Sequence, residues 1–252
     1  MKTLIFTNQK GGTAKTTSVV SVGAGLARKG YKVLIIDIDP QGDTTTATGI
    51  IPDEKDPTTY EILKGTATAT EAIRTAPGGY DVLPTDIRQS GVDIELAGAA
   101  GRDYILKDAL EEIQDRYDYA VIDSPPSLSI TTLMGLTAAD GVIITLKADY
   151  LALKGVSQLK DTINLVKKRL NHDLEITGVL MTLYNDRQNL DKQIEAQAEE
   201  GFPGKVFNTR ISQAVALAEA PAAGRDIFQY KPNSKTAKQY DEVVNEIIER
   251  TK

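Results

Sequence analysis

The sequence contains no cysteine. Disulfides, thiolate metal sites and iron–sulfur clusters are therefore excluded as sources of stability or chemistry. It contains one histidine, His172, which follows a basic run (Lys167, Lys168, Arg169) and stands far along the chain from every motif described below. Imidazole catalysis is not expected. No run approaches the ~18 apolar residues of a membrane span. Residues 1–6 carry one lysine and a very short apolar run, too little for a signal peptide. Basic charge is also short. The formal net charge is −6, so any contact with nucleic acid has to come from a local patch rather than a coat of lysine and arginine. What remains is 252 residues, 41% hydrophobic and 25% charged, suited to one globular unit with a continuous core.

Short apolar runs recur at 4–6, 33–36, 81–83, 120–122, 141–146 and 178–183, each followed by a polar or glycine-rich turn and a helical stretch. Continuous apolar strands separated by helices predict an α/β fold, a single domain over 1–252 with a mostly parallel twisted sheet and helices on both faces. Residues 18–29 read as a helix with Val19, Val22 and Leu26 on one face and Gly30 as its stop. Residues 151–170 read as a longer helix whose basic end suits the negative pole of its macrodipole. Residues 234–249 read as a last helix, with Val243, Val244, Ile247 and Ile248 as its packing stripe. The segment 49–101, rich in Thr, Ala and Gly, reads as short helices and loops over one sheet edge.

The most informative residues are Lys10, Gly11, Gly12, Thr13, Ala14, Lys15, Thr16 and Thr17, which lie between the first strand and the first helix. Glycines there let successive N–H groups converge on phosphate oxygens. The helix that follows points its positive end at the same anion. Lys15 would reach the β- and γ-phosphates and the Thr16 hydroxyl would bind Mg²⁺. The common phosphate-loop pattern, with glycines five positions apart before the lysine, is not met, because its glycine slots hold Gln9 and Ala14. Two further strands end in carboxylates. After 33–36 come Asp37, Ile38, Asp39, Pro40, Gln41, Gly42 and Asp43, and after 120–122 come Asp123, Ser124, Pro125 and Pro126. A carboxylate at a strand's C-terminal end faces the crevice where ligands bind in open parallel sheets. Apolar residues ending in Asp123 form a Walker B pattern, which would hold Mg²⁺ through water. The prolines behind it stiffen a loop suited to sensing a γ-phosphate.

The run Lys10 to Thr17 resembles the deviant Walker A motif of the ParA/MinD class of ATPases, in which Lys-Gly-Gly opens the loop. The stretch Asp37–Gly42 resembles the class's Asp-x-Asp-Pro-Gln-Gly segment, with Asp43 where relatives usually carry Asn. The resemblance implies an ATPase using ATP and Mg²⁺, with Lys10, Lys15 and Asp39 as its catalytic residues. Lys10 would cross into a partner subunit and contact that subunit's nucleotide, much as an arginine finger does. This implies a homodimer with two ATP molecules at its interface. Asp39 would position the attacking water, and Thr16, Asp37, Asp39 and Asp123 would supply the oxygens around the metal. Residues 180–185 resemble the segment whose asparagine reads the adenine edge, which makes Asn185 the adenine candidate. An Asn turn after a strand is the alternative. Residues 216–221 resemble a C-terminal segment in which Ala216 replaces a frequent Arg.

Within this class three outputs are open. Metal-cluster or electron-transfer work needs cysteine. MinD-like membrane positioning needs a C-terminal helix with apolar and basic faces, whereas the tail here is acidic, so no membrane is expected. DNA partitioning remains. By this resemblance the protein is of the short ParA/Soj type, expected to have no N-terminal helix-turn-helix domain. It would act in the cytoplasm and on the nucleoid, with a ParB-like adaptor triggering hydrolysis, expected to be slow without it. Non-specific double-stranded DNA would be held by Arg225, Lys231, Lys235 and Lys238, with Arg210, Lys205 and Arg187 as possible neighbours, and dimer closure would double the patch. A non-DNA cargo positioned by the same switch is the alternative.

Overall fold

The computed structural model describes residues 1–149 and 152–252. Among them seven strands form one sheet: β1 (Lys2–Thr7), β2 (Val33–Asp37), β3 (Arg74–Thr75), β4 (Asp81–Leu83), β5 (Tyr119–Asp123), β6 (Gly141–Lys147) and β7 (Glu175–Thr182). Their spatial order is β3-β4-β2-β5-β1-β6-β7. Every pairing is parallel except the short β3–β4 edge pair. The mostly parallel sheet expected from the apolar runs is what the chain forms.

Alternation along the strands divides the interior into two cores. Leu4, Phe6, Val33, Ile35, Tyr119, Val121 and Ile143 face one. Ile5, Leu34, Ile36, Ala120, Ile122, Val142 and Ile144 face the other. The helices follow in chain order: α1 (Lys15–Arg28), α2 (Asp43–Ala47), α3 (Thr59–Leu63), α4 (Ala69–Ala72), α5 (Val92–Glu95), α6 (Ile105–Glu111), α7 (Ile130–Ala138), α8 (Ala152–Arg169), α9 (Asn189–Gly201), α10 (Ala216–Ala222), α11 (Ile227–Tyr230) and α12 (Lys235–Arg250). α1 and α12 cover the first core with Val19, Val22, Leu26, Tyr240, Val243, Val244 and Ile247. α6, α7 and α8 cover the second with Leu106, Leu110, Met134, Leu136, Leu159 and Ile163.

Two glycines inside α1 show how tightly it is held. A glycine in a helix interior costs about 1 kcal/mol relative to alanine. A methyl group at Gly23 would lie 2.5 Å from Ile35 Cδ1, and one at Gly25 would lie 2.7 Å from Val244 Cγ2. The cost is offset by close contact, which clamps α1 between β2 and α12.

Most element boundaries differ from the sequence reading by one or two residues, and a few differ more. α1 starts at Lys15 rather than 18, directly after the left-handed Ala14. β7 starts at Glu175 rather than 178 and stops at Thr182, because Leu183 turns to φ 52°. The antiparallel pair β3–β4 adds an edge that the sequence reading did not foresee. Leu151, the expected first residue of α8, lies outside the described residues.

Candidate active site

The connection β1–α1–β2 runs to one side of β1, past β5, while β5–α7–β6 runs to the other side, past β1. The strand order therefore reverses between β1 and β5, and the crevice beyond their carboxyl ends is where a parallel sheet of this kind binds ligands. The loop of residues 8–14 occupies that place. Gly12 at φ 74° and Ala14 at φ 54°, ψ 31° bend the backbone before α1. Left-handed residues of this sort turn successive N–H groups toward one point, next to the positive end of the helix.

The loop is braced from below. The Asn8 amide donates to the Thr145 carbonyl at 2.5 Å, and Asn8 Oδ1 accepts from the Lys10 N–H at 3.0 Å. The Thr13 and Thr145 hydroxyls lie 3.0 Å apart, and the Thr182 hydroxyl donates to the Thr13 carbonyl at 2.9 Å. β6 and β7 thus hold the loop from its far side. The sequence reading missed Asn8, Thr145 and Thr182. For the threonines the available signal was a single hydroxyl inside each of the apolar runs 141–146 and 178–183.

The carboxylates converge on the loop. Lys15, whose side chain is 8% exposed, forms an ion pair with Asp123 and lies 3.8 Å from Asp39 Oδ2. Asp123 Oδ2 also accepts from the Thr16 hydroxyl at 2.7 Å and from the Thr44 hydroxyl at 2.6 Å. Asp37 is fully buried. It accepts from the Thr45 N–H at 2.8 Å, the Thr45 hydroxyl at 2.7 Å and the Asp39 N–H at 3.1 Å. Burial, with repulsion from Asp123 second, pushes its pKa up to about 7. Burial likewise raises the pKa of Asp39, whose Oδ1 accepts from the Gln41 N–H at 3.1 Å. A carboxylate raised in this way is a better proton acceptor at neutral pH than an exposed one.

A cavity of about 280 Å³ opens above these groups, lined by residues 10–16 together with Asp39, Gln41, Asp43 and Pro126. A second, of about 670 Å³, shares Gly12 and Ala14 with it and continues past Thr17 to Leu183, Gln213, Val215 and Leu217. The two contiguous spaces suit a polyphosphate and an attached, less polar group. Asn185 is not among the residues lining either cavity. Its side chain accepts from the Arg187 N–H at 3.1 Å, the Asn turn that stood as the alternative. Leu217 and Ala218 belong to the 216–221 segment that the sequence marks, whereas Gln213, Ala214 and Val215 reach the site only through the fold.

The donor set consists of oxygen atoms alone, which fits a hard cation. Among the described residues no group of three acidic or histidine side chains forms a metal cage. Mg²⁺ needs none, because it binds through one or two protein oxygens and completes its shell with water and substrate phosphates. The Thr16 hydroxyl beside Asp123 meets that requirement.

Comparison with known proteins bears on this geometry. The model of an AAA domain family matches residues 1–176. The sporulation initiation inhibitor protein Soj of Bacillus subtilis is 42% identical over 98% of this chain and 98% of its own length. The chromosome partitioning protein ParA of Caulobacter vibrioides is 40% identical over 99% and 95%. The chain belongs to the ParA/Soj family of P-loop ATPases. A solved structure named cobyrinic acid a,c-diamide synthase, from Mycobacterium smegmatis with a bound ATP analogue and magnesium, is 35% identical, with a TM-score of 0.86 over 97% of this chain and 93% of that one.

The other ParA/Soj-type candidates are spread over the surface. Lys10 is exposed at the mouth of the first cavity, 2.5 Å from Asp149. Arg225, Lys231, Lys235 and Lys238 are exposed around the start of α12. None of them is in an ion pair among the described residues. Arg210 is brought close by the Ser212–Gln239 hydrogen bonds of 3.1 and 3.0 Å, but its guanidinium pairs with Glu195 and stacks on Tyr184. Arg187 follows Tyr184 in the adjoining loop. Lys205 sits at the other end of α12, where its carbonyl accepts from Arg250, about 20 Å along a helix of this length. No described helix is long and apolar enough to cross a membrane.

Proposed function

We propose that the protein is an ATP-driven partitioning switch. Two copies close on two ATP molecules, and the closed dimer holds double-stranded DNA without sequence preference. A ParB-like adaptor then stimulates an otherwise slow hydrolysis, and the DNA is released. The single observation that carries this reading is the convergence of Lys15, Thr16, Asp39 and Asp123 on a left-handed loop, with Lys10 exposed at its mouth. The names of the Bacillus and Caulobacter relatives, chromosome partitioning among them, support the output.

In this reading the loop's N–H groups and Lys15 bind the phosphates, and residues 213–217 enclose the nucleoside, with Asn185 at their side. Magnesium, when bound at Thr16, neutralises phosphate charge. Asp123 orients the Thr16 hydroxyl, and Asp37 fixes the backbone that aims Asp39. Asp39 holds the attacking water and takes its proton. Lys10 reaches the partner's nucleotide, leaving Asp149. At the start of α12, Lys235 and Lys238 add to the helix's positive end, a favourable seat for DNA phosphates. The protein works in the cytoplasm and gathers on the nucleoid in its ATP form.

Lys10→Ala tests the dimer. The variant is expected to keep ATP affinity within about threefold of the parent, since a lysine at the cavity mouth that pairs with Asp149 contributes little to its own site. It is expected to stay monomeric by light scattering with ATP and Mg²⁺. An ATP-dependent dimer of normal affinity in this variant would sink the role given to Lys10.

A further inference from the structure

The residue most strained for its type in the phosphate loop is Ala14. A non-glycine residue in the left-handed region costs on the order of 1 kcal/mol, and at this position the common phosphate-loop pattern has glycine. Something must hold Ala14 there, and two side chains do. The Ala14 carbonyl accepts twice from Ser18, from its N–H at 3.0 Å and from its hydroxyl at 2.7 Å. The Ser18 hydroxyl lies 3.0 Å from the Tyr240 hydroxyl. Because Ser18 gives its only hydroxyl proton to Ala14, the Tyr240 O–H is the donor to Ser18. The three groups form a one-directional relay from Tyr240 to Ser18 to the Ala14 carbonyl.

Neither hydroxyl has solvent as an alternative. Ser18 and Tyr240 are both 0% exposed. Burial raises the Tyr240 hydroxyl pKa well above its ordinary value, so it remains a donor at any physiological pH. The relay joins α1 to α12, which pack closely enough that a methyl at Gly25 would strike the Val244 side chain. Tyr240 lies on the same helix as Lys235 and Lys238.

We propose that Tyr240 and Ser18 are positioning residues for the phosphate loop, holding Ala14 left-handed and hydrogen-bonding that loop to the helix that carries the DNA candidates. The inference rests on the ATP reading above. It makes the loop's geometry depend on a residue 226 positions away (240 − 14). It also gives α12 a direct mechanical tie to the nucleotide.

The test is a double-mutant cycle on the full chain, read by isothermal titration of ADP with Mg²⁺ and by amide exchange of residues 14–18 without nucleotide. Tyr240→Phe keeps the ring and removes the donor. It is expected to weaken ADP about fivefold, the worth of one buried hydrogen bond, and to speed exchange of the Ser18 amide. Ser18→Ala is expected to do at least as much, and serves as the second variant should Tyr240→Phe fold poorly. Ala14→Gly removes the strain. In the Ala14→Gly background the loss caused by Tyr240→Phe is expected to shrink to under twofold, a coupling that a merely structural tyrosine would not give. Affinity within twofold of the parent for Tyr240→Phe, or an equal loss with and without Ala14→Gly, overturns the inference. Failure of the parent protein itself to bind ADP or ATP overturns the nucleotide reading instead.

Discussion

Removing Lys15 tests whether the site carries its charges as the geometry implies. The ammonium is almost buried, pairs with Asp123 and lies 3.8 Å from Asp39. Lys15→Ala leaves Asp37, Asp39 and Asp123 together with no cation. Breaking a buried pair from one side costs about 3–5 kcal/mol. The cavity admits water, so the lower figure applies, and for a domain of this size about 3 kcal/mol corresponds to roughly 6–12 °C in Tm. The loss must depend on pH. Lys15 lowers the pKa of Asp39 against the rise caused by burial, so without the lysine the Asp39 carboxyl holds its proton more tightly and the cost of ionising it in a poorly solvated place grows as pH rises. Calorimetry of parent and variant without nucleotide is therefore expected to show a larger Tm gap at pH 8 than at pH 6. ADP binding is expected to be lost at both. A Tm gap of zero, or one equal at the two pH values, would refute the reasoning, since it would mean that the lysine does not compensate these charges.

Two further outcomes follow from the same carboxylates. Asp39→Ala is expected to bind ATP and accumulate as a dimer while hydrolysis falls at least a hundredfold; turnover at the parent rate would show that another group positions the water. Asp37 gives a pH dependence whose sign is fixed. Its folded pKa, about 7, lies above its ordinary 3.8, so the folded protein binds the extra proton between those values and stability falls as pH rises through that window. Tm of the nucleotide-free protein is expected to decline from pH 5 to pH 7.5, with a shallower slope in Asp37→Asn; an unchanged slope would remove Asp37 as its source.

The phosphate loop, Asp37, Asp39 and Asp123 were legible in the sequence because each lies at a strand-to-loop junction, where the motif and the geometry are local. The packing faces of α1 and α12 were legible for the same reason, through Val19, Val22, Leu26, Val243, Val244 and Ile247. What holds the site in place was not. Thr145, Thr182 and Tyr240 act on residues more than a hundred positions away, and only the strand order and the packing of α12 on α1 bring them together. β3 has two residues and no apolar run to announce it. β7 begins in Glu175, Ile176 and Thr177, of which none is fully buried, so its first residues lack the apolar signature of an interior strand. The Asn185 Oδ1 accepts from the Arg187 N–H, and the cavity next to the loop is walled by Gln213, Ala214 and Val215 together with Leu183 and Leu217, residues that only the fold brings side by side.

The central claim is that nucleotide state controls DNA binding. The most direct measurement is binding to a random-sequence duplex with no nucleotide, with ADP, and with ATP and Mg²⁺, across a salt series. The account predicts binding with ATP alone, weakening steeply with salt, and a smaller salt slope when Lys235 and Lys238 are both changed to alanine. ATP-dependent dimerisation with no affinity for DNA in any state would contradict it and point to a cargo other than DNA.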